Sequence, residues 1–472
     1  MSFFSLPFYA LLGITLITYY IIPLRFRWIV LLASSMAFYY FRCPEGIGIF
    51  LIFIVVSYGF SLWIDKARDR NSDLAILLLG WALALLPLTM VKWSSFIGSD
   101  MFIIPLGMSF FSLQIVAYLT DIYKGKIEPQ KNIFRYALFI SWFPQIIQGP
   151  IPRYEQLDKT LYGNRLDPDG VTKGFQLIIW GWFLKLVIAD KAAVLVNSVF
   201  DAYKGYSGFF VLIAGMLYCL QLYTDFSGCV CIAKGISELF GIHLPDNFNH
   251  PFFSQNIRDF WNRWHISLST WLRDYIYFPL GGSRKGKMRQ YLNIMIVFVI
   301  SGLWPGNGMT FVIWGIINGL YRIIGDITWP WRKNIYDKLH LDTGNIVFRF
   351  CRTLFTSFLV MIAFIMFRAD TIEQGMHMIS SLFSSWNPWI LSNGSLLLLG
   401  LDRVDWTMLG MSAALLILVS CIQEKGICIR DEVMRMPFIL RWVVYLTAIV
   451  IIVLCGTYGF GFNAADFIYG GF

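Results

Sequence analysis

The sequence predicts an all-α integral membrane protein, and three observations carry that prediction. Of its 472 residues, 57% are hydrophobic and only 14% are charged, whereas a soluble domain carries about 25% charged residues. Mean hydropathy is +0.61. Apolar runs of roughly bilayer-spanning length recur along the chain, and the basic residues collect between them. The net charge of +9 therefore reads as the basic bias of cytoplasmic loops, and no nucleic acid is expected as a partner.

Taken in order, residues 3–23 form a first apolar run, uncharged at its start. It lacks a small-residue cleavage site and reads as a retained helix rather than a signal peptide. Runs follow at 28–41, 47–64, 74–91 and 103–119. Arg25 and Arg27 follow the first run, Lys66, Arg68 and Arg70 the third, and Lys124, Lys126, Lys131 and Arg135 the fifth. Placing the N-terminus outside puts these clusters in the cytoplasm and leaves the lone Lys92 outside. Residues 136–151 are apolar but end in Pro144, Gln145, Gln148, Gly149 and Pro150. They read as a re-entrant segment, an ordinary broken helix being the plainer alternative, since irregular backbone at membrane depth must be buried in protein or line a cavity. Further runs cover 174–188, interrupted by Lys185 and closed by Asp190 and Lys191, and 208–223.

Beyond a polar central stretch, runs at 291–304 and 309–324 flank the turn signal Pro305-Gly306-Asn307-Gly308. Lys333 and Lys338 are expected in an inner loop. Runs at 350–367, 407–421 and 442–460 follow, with residues 369–405 as an outer loop. The expectation is about eleven transmembrane helices plus re-entrant or short pieces, with both termini outside. No linker or short-period repeat breaks the chain, so residues 1–472 read as a single membrane domain. The 8 cysteines lie among apolar runs. Cys229 and Cys231 have no companion Cys or His at metal-ligand spacing, so no metal site is expected.

The central stretch, 225–284, is where the chemistry-bearing residues concentrate. It holds three of the five histidines, His243, His250 and His265, together with arginines, acids and a dense set of aromatics. Ionisable groups near a bilayer are costly and tend to mark function. His265, in Trp261-Asn262-Arg263-Trp264-His265-Ile266-Ser267, is suited to take a hydroxyl proton near neutral pH; the plainer alternative is a hydrogen-bonded interfacial histidine. Asp225, with Ser227 beside it, would orient a polar substrate or cap the following helix. Asp246-Asn247-Phe248-Asn249 would supply polar groups, notably Asn249, or form an ordinary turn. Gln148 and Arg153 would line a cavity or edge a kinked segment. The run Gly281-Gly282-Ser283-Arg284 with Lys285 and Lys287 would meet donor phosphates or anionic lipid. His340 and His377 are expected in loops. No P-loop and no Gly-x-Ser-x-Gly is present.

Several of these segments together resemble the membrane-bound O-acyltransferases, in particular the bacterial alginate O-acetyltransferase branch. They are IPLGMSFFSLQIVAYLTDIYKG (104–125), FPQIIQGPIPRY (143–154), GWFLKLVIADK (181–191), WHISLSTWLRDYIYFPLGG (264–282), SGLWPGNGMTFVIWGIINGLY (301–321) and FIYGGF (467–472). The similarity covers nearly the whole chain, with a signature core at about 104–321.

The resemblance implies a funnel of helices with a tunnel joining the two membrane faces. It implies an acyl donor, such as acetyl-CoA or an acylated carrier protein, bound as substrate from the cytoplasm, with no bound cofactor. The implied acceptor is an exported polysaccharide, reached through a secreted or periplasmic acetyltransferase- or esterase-like partner. The implied location is the bacterial plasma membrane. Within the family, D-alanyl transfer to teichoic acid is the main alternative. Trp261, Arg273 and Trp304 join Asp225, Ser227, Asn249, Gln148 and Arg153 as candidate substrate-binding residues.

One departure bears on activity. His265 matches the family's first signature histidine, but the second, which follows the tryptophan of SGLW, is here Pro305. Proline has no N–H and no ring nitrogen able to accept a proton. Two further readings therefore stand beside the enzyme. One is a non-catalytic member that binds an acyl carrier or partner. The other is a transporter, which predicts related halves that this sequence lacks.

Overall fold

The computed structural model describes residues 3–68, 73–96, 105–306 and 308–458. Every regular element among them is helical. They fall into two compact units. The described parts of Met1–Gly181 and Cys229–Asp246 form one, and those of Trp182–Gly228 and Asn247–Phe462 form the other.

The first unit opens with α1 (Leu6–Ile21), α2 (Arg27–Arg42), α3 (Ile47–Lys66) and α4 (Asp73–Phe96). Their apolar residues lie outside as much as inside. On α1, Phe8, Leu12, Thr15 and Tyr19 are buried at helical spacing, while Leu6, Ile14, Ile17 and Ile21 are exposed. That is the pattern of a helix with protein on one face and hydrocarbon on the other. In α5 (Met108–Tyr123), Phe111 to Ile122 are all buried, which makes it the interior helix of this unit. Gly107 precedes it at φ 69°, where a Cβ would stand 2.4 Å from the Ile146 carbonyl oxygen, so glycine is required.

The expected irregular segment is a buried broken helix. α6 (Ile133–Ser141) stops at Trp142 and α7 (Phe143–Ile146) restarts immediately. The break is held by side chains: Trp142 Nε1 donates to Ser237 Oγ at 3.0 Å, and the Phe143 N–H donates to Ser35 Oγ at 3.3 Å. Gln114 donates to the Phe139 carbonyl at 2.7 Å and accepts from Gln145 at 3.1 Å. A buried backbone interruption needs such partners. α8 (Tyr154–Leu161) and α9 (Pro168–Trp182) follow.

In the second unit, Phe183–Ala189 is π-helical, with all seven residues buried. It leads into α10 (Asp190–Asp201) and α11 (Phe209–Leu239), whose residues from Cys229 on belong to the first unit, then the short helices α12 (Ile257–Arg263) and α13 (Ile266–Leu272). After them come α14 (Lys287–Leu303), α15 (Met309–Lys338), α16 (Ile346–Arg368), α17 (Ile372–Ser384), α18 (Arg403–Glu424), α19 (Ile429–Arg435) and α20 (Phe438–Cys455).

α14 and α15 form a hairpin in backbone contact. A Cβ on Gly302 would lie 2.3 Å from the Phe311 carbonyl oxygen, and one on Gly315 would lie 2.4 Å from that of Phe298. Small residues permit this approach, as in membrane helix pairs generally.

Seven helices among the described residues are long and apolar enough to cross a membrane: α3, α4, α11, α15, α16, α18 and α20. The protein is thus a multi-pass membrane protein. α1, α2, α5 and α14, where crossings were also expected, are helices of 16 or 17 residues.

Three expectations change. α11 runs unbroken through Asp225, so Asp225 caps nothing. α15 continues to Lys338, so Lys333 and Lys338 are helical rather than in a loop. The outer segment after 369 contains α17, and His377 lies within it, its ring 5.4 Å from that of Tyr203. The ending FIYGGF, Asn307 and positions 69–72 lie outside the described residues.

Candidate active site

His265 sits in a two-residue break between α12 and α13. The Asn256 side chain caps α12 by accepting from the Asp259 N–H at 2.9 Å, and the helix ends at Trp264. His265 then adopts φ 43° and ψ 56°, the left-handed region, before α13 begins. That conformation is uncommon for a residue with a Cβ, and it persists only where its surroundings enforce it. Two backbone hydrogen bonds bracket it here. Asn249 N–H donates to the Arg263 carbonyl at 2.9 Å, and Ile266 N–H donates to that of Asn247 at 2.9 Å.

The side chain is 6% exposed. The Phe226 ring of α11 meets the imidazole edge-on, with centroids 4.8 Å apart and planes at 89°. Behind it, Phe248 packs on Phe226 at 5.0 Å and on Trp264 at 5.1 Å, and Trp264 packs on Phe364 at 5.2 Å. Burial among these rings pushes the imidazole down to about 3, so it is neutral at physiological pH. His265 is outside the seven long apolar helices.

The polar contact of the ring is with Asn247. Asn247 Oδ1 lies 3.1 Å from His265 Nδ1, 3.1 Å from the Ser267 amide nitrogen and 2.7 Å from Ser267 Oγ. In the tetrad 246–249 it is therefore Asn247 that reaches the histidine. Asn249 is exposed, and its backbone, not its amide, makes the contacts with Arg263. Both side chains have the same parity in an extended segment, so sequence alternation could not choose between them.

The second position of interest, Pro305, is buried just beyond α14 and is not helical. Trp304 beside it is 9% exposed and closes α14 through its N–H to the Ile300 carbonyl at 3.1 Å. At Gly306 a Cβ would fall 2.2 Å from Phe311 Cε2, so the Phe311 ring covers the turn. The hairpin carrying Pro305 is joined by Trp261 to α12, the helix that precedes the break at His265. Trp261 Nε1 donates to Asn318 Oδ1 at 3.3 Å, and its ring packs on Trp314 at 5.5 Å and on Phe298 at 5.3 Å.

Asp225 belongs to an ion cluster that local sequence does not reveal. Lys185 Nζ, from the π-helical segment, lies 2.8 Å from Asp190 Oδ1 and 2.7 Å from Asp225 Oδ1, with all three side chains at most 5% exposed. π-helical turns recur at functional sites. The usable signal was Lys185 itself, a cation inside an apolar run, which calls for a buried anionic partner. Ser227 is buried on α11. Arg273 is exposed and pairs with Asp274 at 3.0 Å, on the surface rather than in the core. Gln148, buried, and Arg153, at the start of α8, belong to the first unit. Among the described residues no three His, Cys, Asp or Glu side chains gather to hold a metal ion.

Seven helices of bilayer length among the described residues define a multi-pass membrane protein, and a buried imidazole hydrogen-bonded to an amide lies between two of its short helices. The chain belongs to the membrane-bound O-acyltransferase family, whose model matches residues 123–367. It is 32% identical over 415 residues to the probable alginate O-acetylase AlgI of Azotobacter vinelandii, covering 84% of this chain and 79% of that protein. It is 31% identical over 398 residues to the peptidoglycan O-acetyltransferase of Helicobacter pylori, covering 75% and 73%. It is 29% identical over 240 residues to the teichoic acid D-alanyltransferase of Bacillus subtilis, covering 48% and 60%.

Proposed function

We propose that this protein is an O-acyltransferase that takes an acetyl group from a cytoplasmic donor toward O-acetylation of an exported cell-surface polysaccharide such as alginate. The observation that carries the reading is similarity over most of the chain to relatives named as alginate and peptidoglycan acetylating enzymes. In this reading the donor is acetyl-CoA or an acylated carrier protein, used as a substrate. A secreted or periplasmic acetyltransferase- or esterase-like partner completes the transfer. The protein lies in the bacterial plasma membrane with its N-terminus outside. A tunnel through the membrane domain brings donor and acceptor together, lined by His265 and Trp304 and narrowest at Pro305.

The chemistry is transfer of an acyl group from a thioester to a hydroxyl. The acceptor oxygen bonds to the acyl carbon, the carbon–sulfur bond breaks, and the hydroxyl proton passes through a base to the departing sulfur. His265, neutral through burial, has a nitrogen available for that proton. Pro305 offers none, because its nitrogen is a tertiary amide. Positioning of donor and acceptor does not depend on a base, so the protein is expected to bind donor but transfer slowly.

The test is acyl transfer in membranes supplied with donor, partner and acceptor, comparing the natural chain with Pro305→His and His265→Ala. A gain of about a hundredfold or more in Pro305→His, abolished by adding His265→Ala, is expected. Full activity of the natural chain, unchanged by either substitution, overturns the assignment of roles. Donor binding with no transfer in any variant favours the non-catalytic carrier- or partner-binding reading, which Pro305 motivates. Running acetyl and D-alanyl donors side by side separates polysaccharide acetylation from D-alanyl transfer.

A further inference from the structure

We propose that Asn247 is a positioning residue that fixes the tautomer of His265, holding its proton on Nδ1 and leaving Nε2 as the basic nitrogen. Three donor-capable groups converge on one atom of the Asn247 side chain: the Ser267 backbone nitrogen at 3.1 Å, Ser267 Oγ at 2.7 Å and His265 Nδ1 at 3.1 Å. A backbone N–H can only donate. The atom it faces must therefore be the amide oxygen, because an NH₂ there would set two donors against each other. Once that atom is oxygen, His265 Nδ1 hydrogen-bonds to it only if it carries the proton. A neutral imidazole carries one proton, so Nε2 keeps its lone pair.

Other contacts hold the arrangement in place. Ile266 N–H donates to the Asn247 carbonyl at 2.9 Å, so main chain and side chain of Asn247 grip both sides of the break. The left-handed backbone of His265 aims its ring back at this loop, and the Phe226 ring, perpendicular at 4.8 Å, blocks rotation on one face. Burial disfavours a second proton on the ring, so the single-proton count holds at physiological pH. In a chain whose 305 position offers no base, Nε2 of His265 is then the ring nitrogen left to accept a hydrogen bond from an acceptor hydroxyl.

The catalytic consequence rests on the acyl-transfer reading above; the tautomer does not. The first experiment therefore avoids activity. Protein labelled with ¹⁵N-histidine is reconstituted in lipid, and the His265 ring signals are assigned by their loss in His265→Gln. The natural chain is expected to show a protonated Nδ1 and an unprotonated Nε2 at neutral pH. Asn247→Asp, which keeps an acceptor oxygen, preserves that pattern. Asn247→Leu, close in size but without an acceptor, releases the ring to a mixture of tautomers. A proton on Nε2 in the natural chain overturns the proposal, and this spectrum decides even if a variant fails to fold. An unchanged Nδ1–H population in folded Asn247→Leu overturns it as well.

The second experiment measures transfer in the Pro305→His background. Asn247→Leu should lower kcat about ten- to a hundredfold with KM little changed, a part of what a general base supplies, and Asn247→Asp should restore most of it. Loss of transfer in Asn247→Leu through KM alone counts against a positioning role. If His265→Ala transfers at the parent rate, the acyl-transfer roles fail while the tautomer result stands.

Discussion

At the scale of single residues, the described backbone shows an unusual preference: its three non-glycine residues with positive φ are all histidines, His250, His265 and His340. Of these, His265 is buried and neutral, and its environment has a consequence for stability. Burial lowers its folded-state value from the ordinary 6.5 to about 3. A group depressed in this way contributes stability that is fully present above 6.5 and is lost as the pH falls from there toward 3, because the unfolded chain takes up the proton more readily. Thermal unfolding in detergent should therefore show a smaller loss of Tm between pH 7 and pH 4 for His265→Gln than for the natural chain. Equal losses would mean the ring is open to water. Lys185 gives a second prediction at this scale. Removing the ammonium in Lys185→Met leaves the Asp190 and Asp225 carboxylates buried without their cation, which costs about 3–5 kcal/mol. Replacing all three residues by apolar side chains should be milder than Lys185→Met alone. The reverse order would show that the cluster is not a mutually compensating set.

At the scale of elements, periodicity and apolar runs located the helices well, but two boundaries differ. α11 passes through Thr224-Asp225-Phe226-Ser227-Gly228 without interruption because Asp225 is satisfied by Lys185, so nothing forces the helix to end. α15 continues past the expected end at 324 to Lys338 and accommodates Pro330. The α14–α15 hairpin depends on glycine contacts visible only when both helices are in place. Gly302→Ala puts a methyl group about where the Phe311 carbonyl already stands. It should cost about 1–3 kcal/mol through overpacking and lower transfer by disturbing the turn at 305. Unaltered Tm and activity would mean the hairpin has slack that its backbone contacts do not suggest.

At the scale of the whole molecule, the basic clusters predict an outside N-terminus and a cytoplasmic loop at 65–73. Asp69→Cys, in a variant whose native cysteines, including the exposed Cys351 and Cys428, are replaced by Ser, should resist a membrane-impermeant maleimide in intact cells and react once the cells are opened. Labelling from outside would reverse the orientation. Composition gave no hint that the described residues fall into two compact units, because the division between Gly181 and Trp182 lies in an apolar helical run with no linker signal.

Sequence by itself determined the class of the protein and the helical character of nearly every apolar run. Hydropathy and charge bias are sums over local residues, and they do not depend on which helices meet. It also determined that Pro305 cannot act as a base, since that follows from covalent structure alone. Tertiary structure decided the partners. It chose Asn247 over Asn249 for His265, paired Asp225 with Lys185 across about forty positions of chain, and left Arg273 at the surface. A hydrogen bond or buried ion pair is fixed by distances between atoms remote in sequence. Residue type names the groups that need partners, and only the packed chain supplies them.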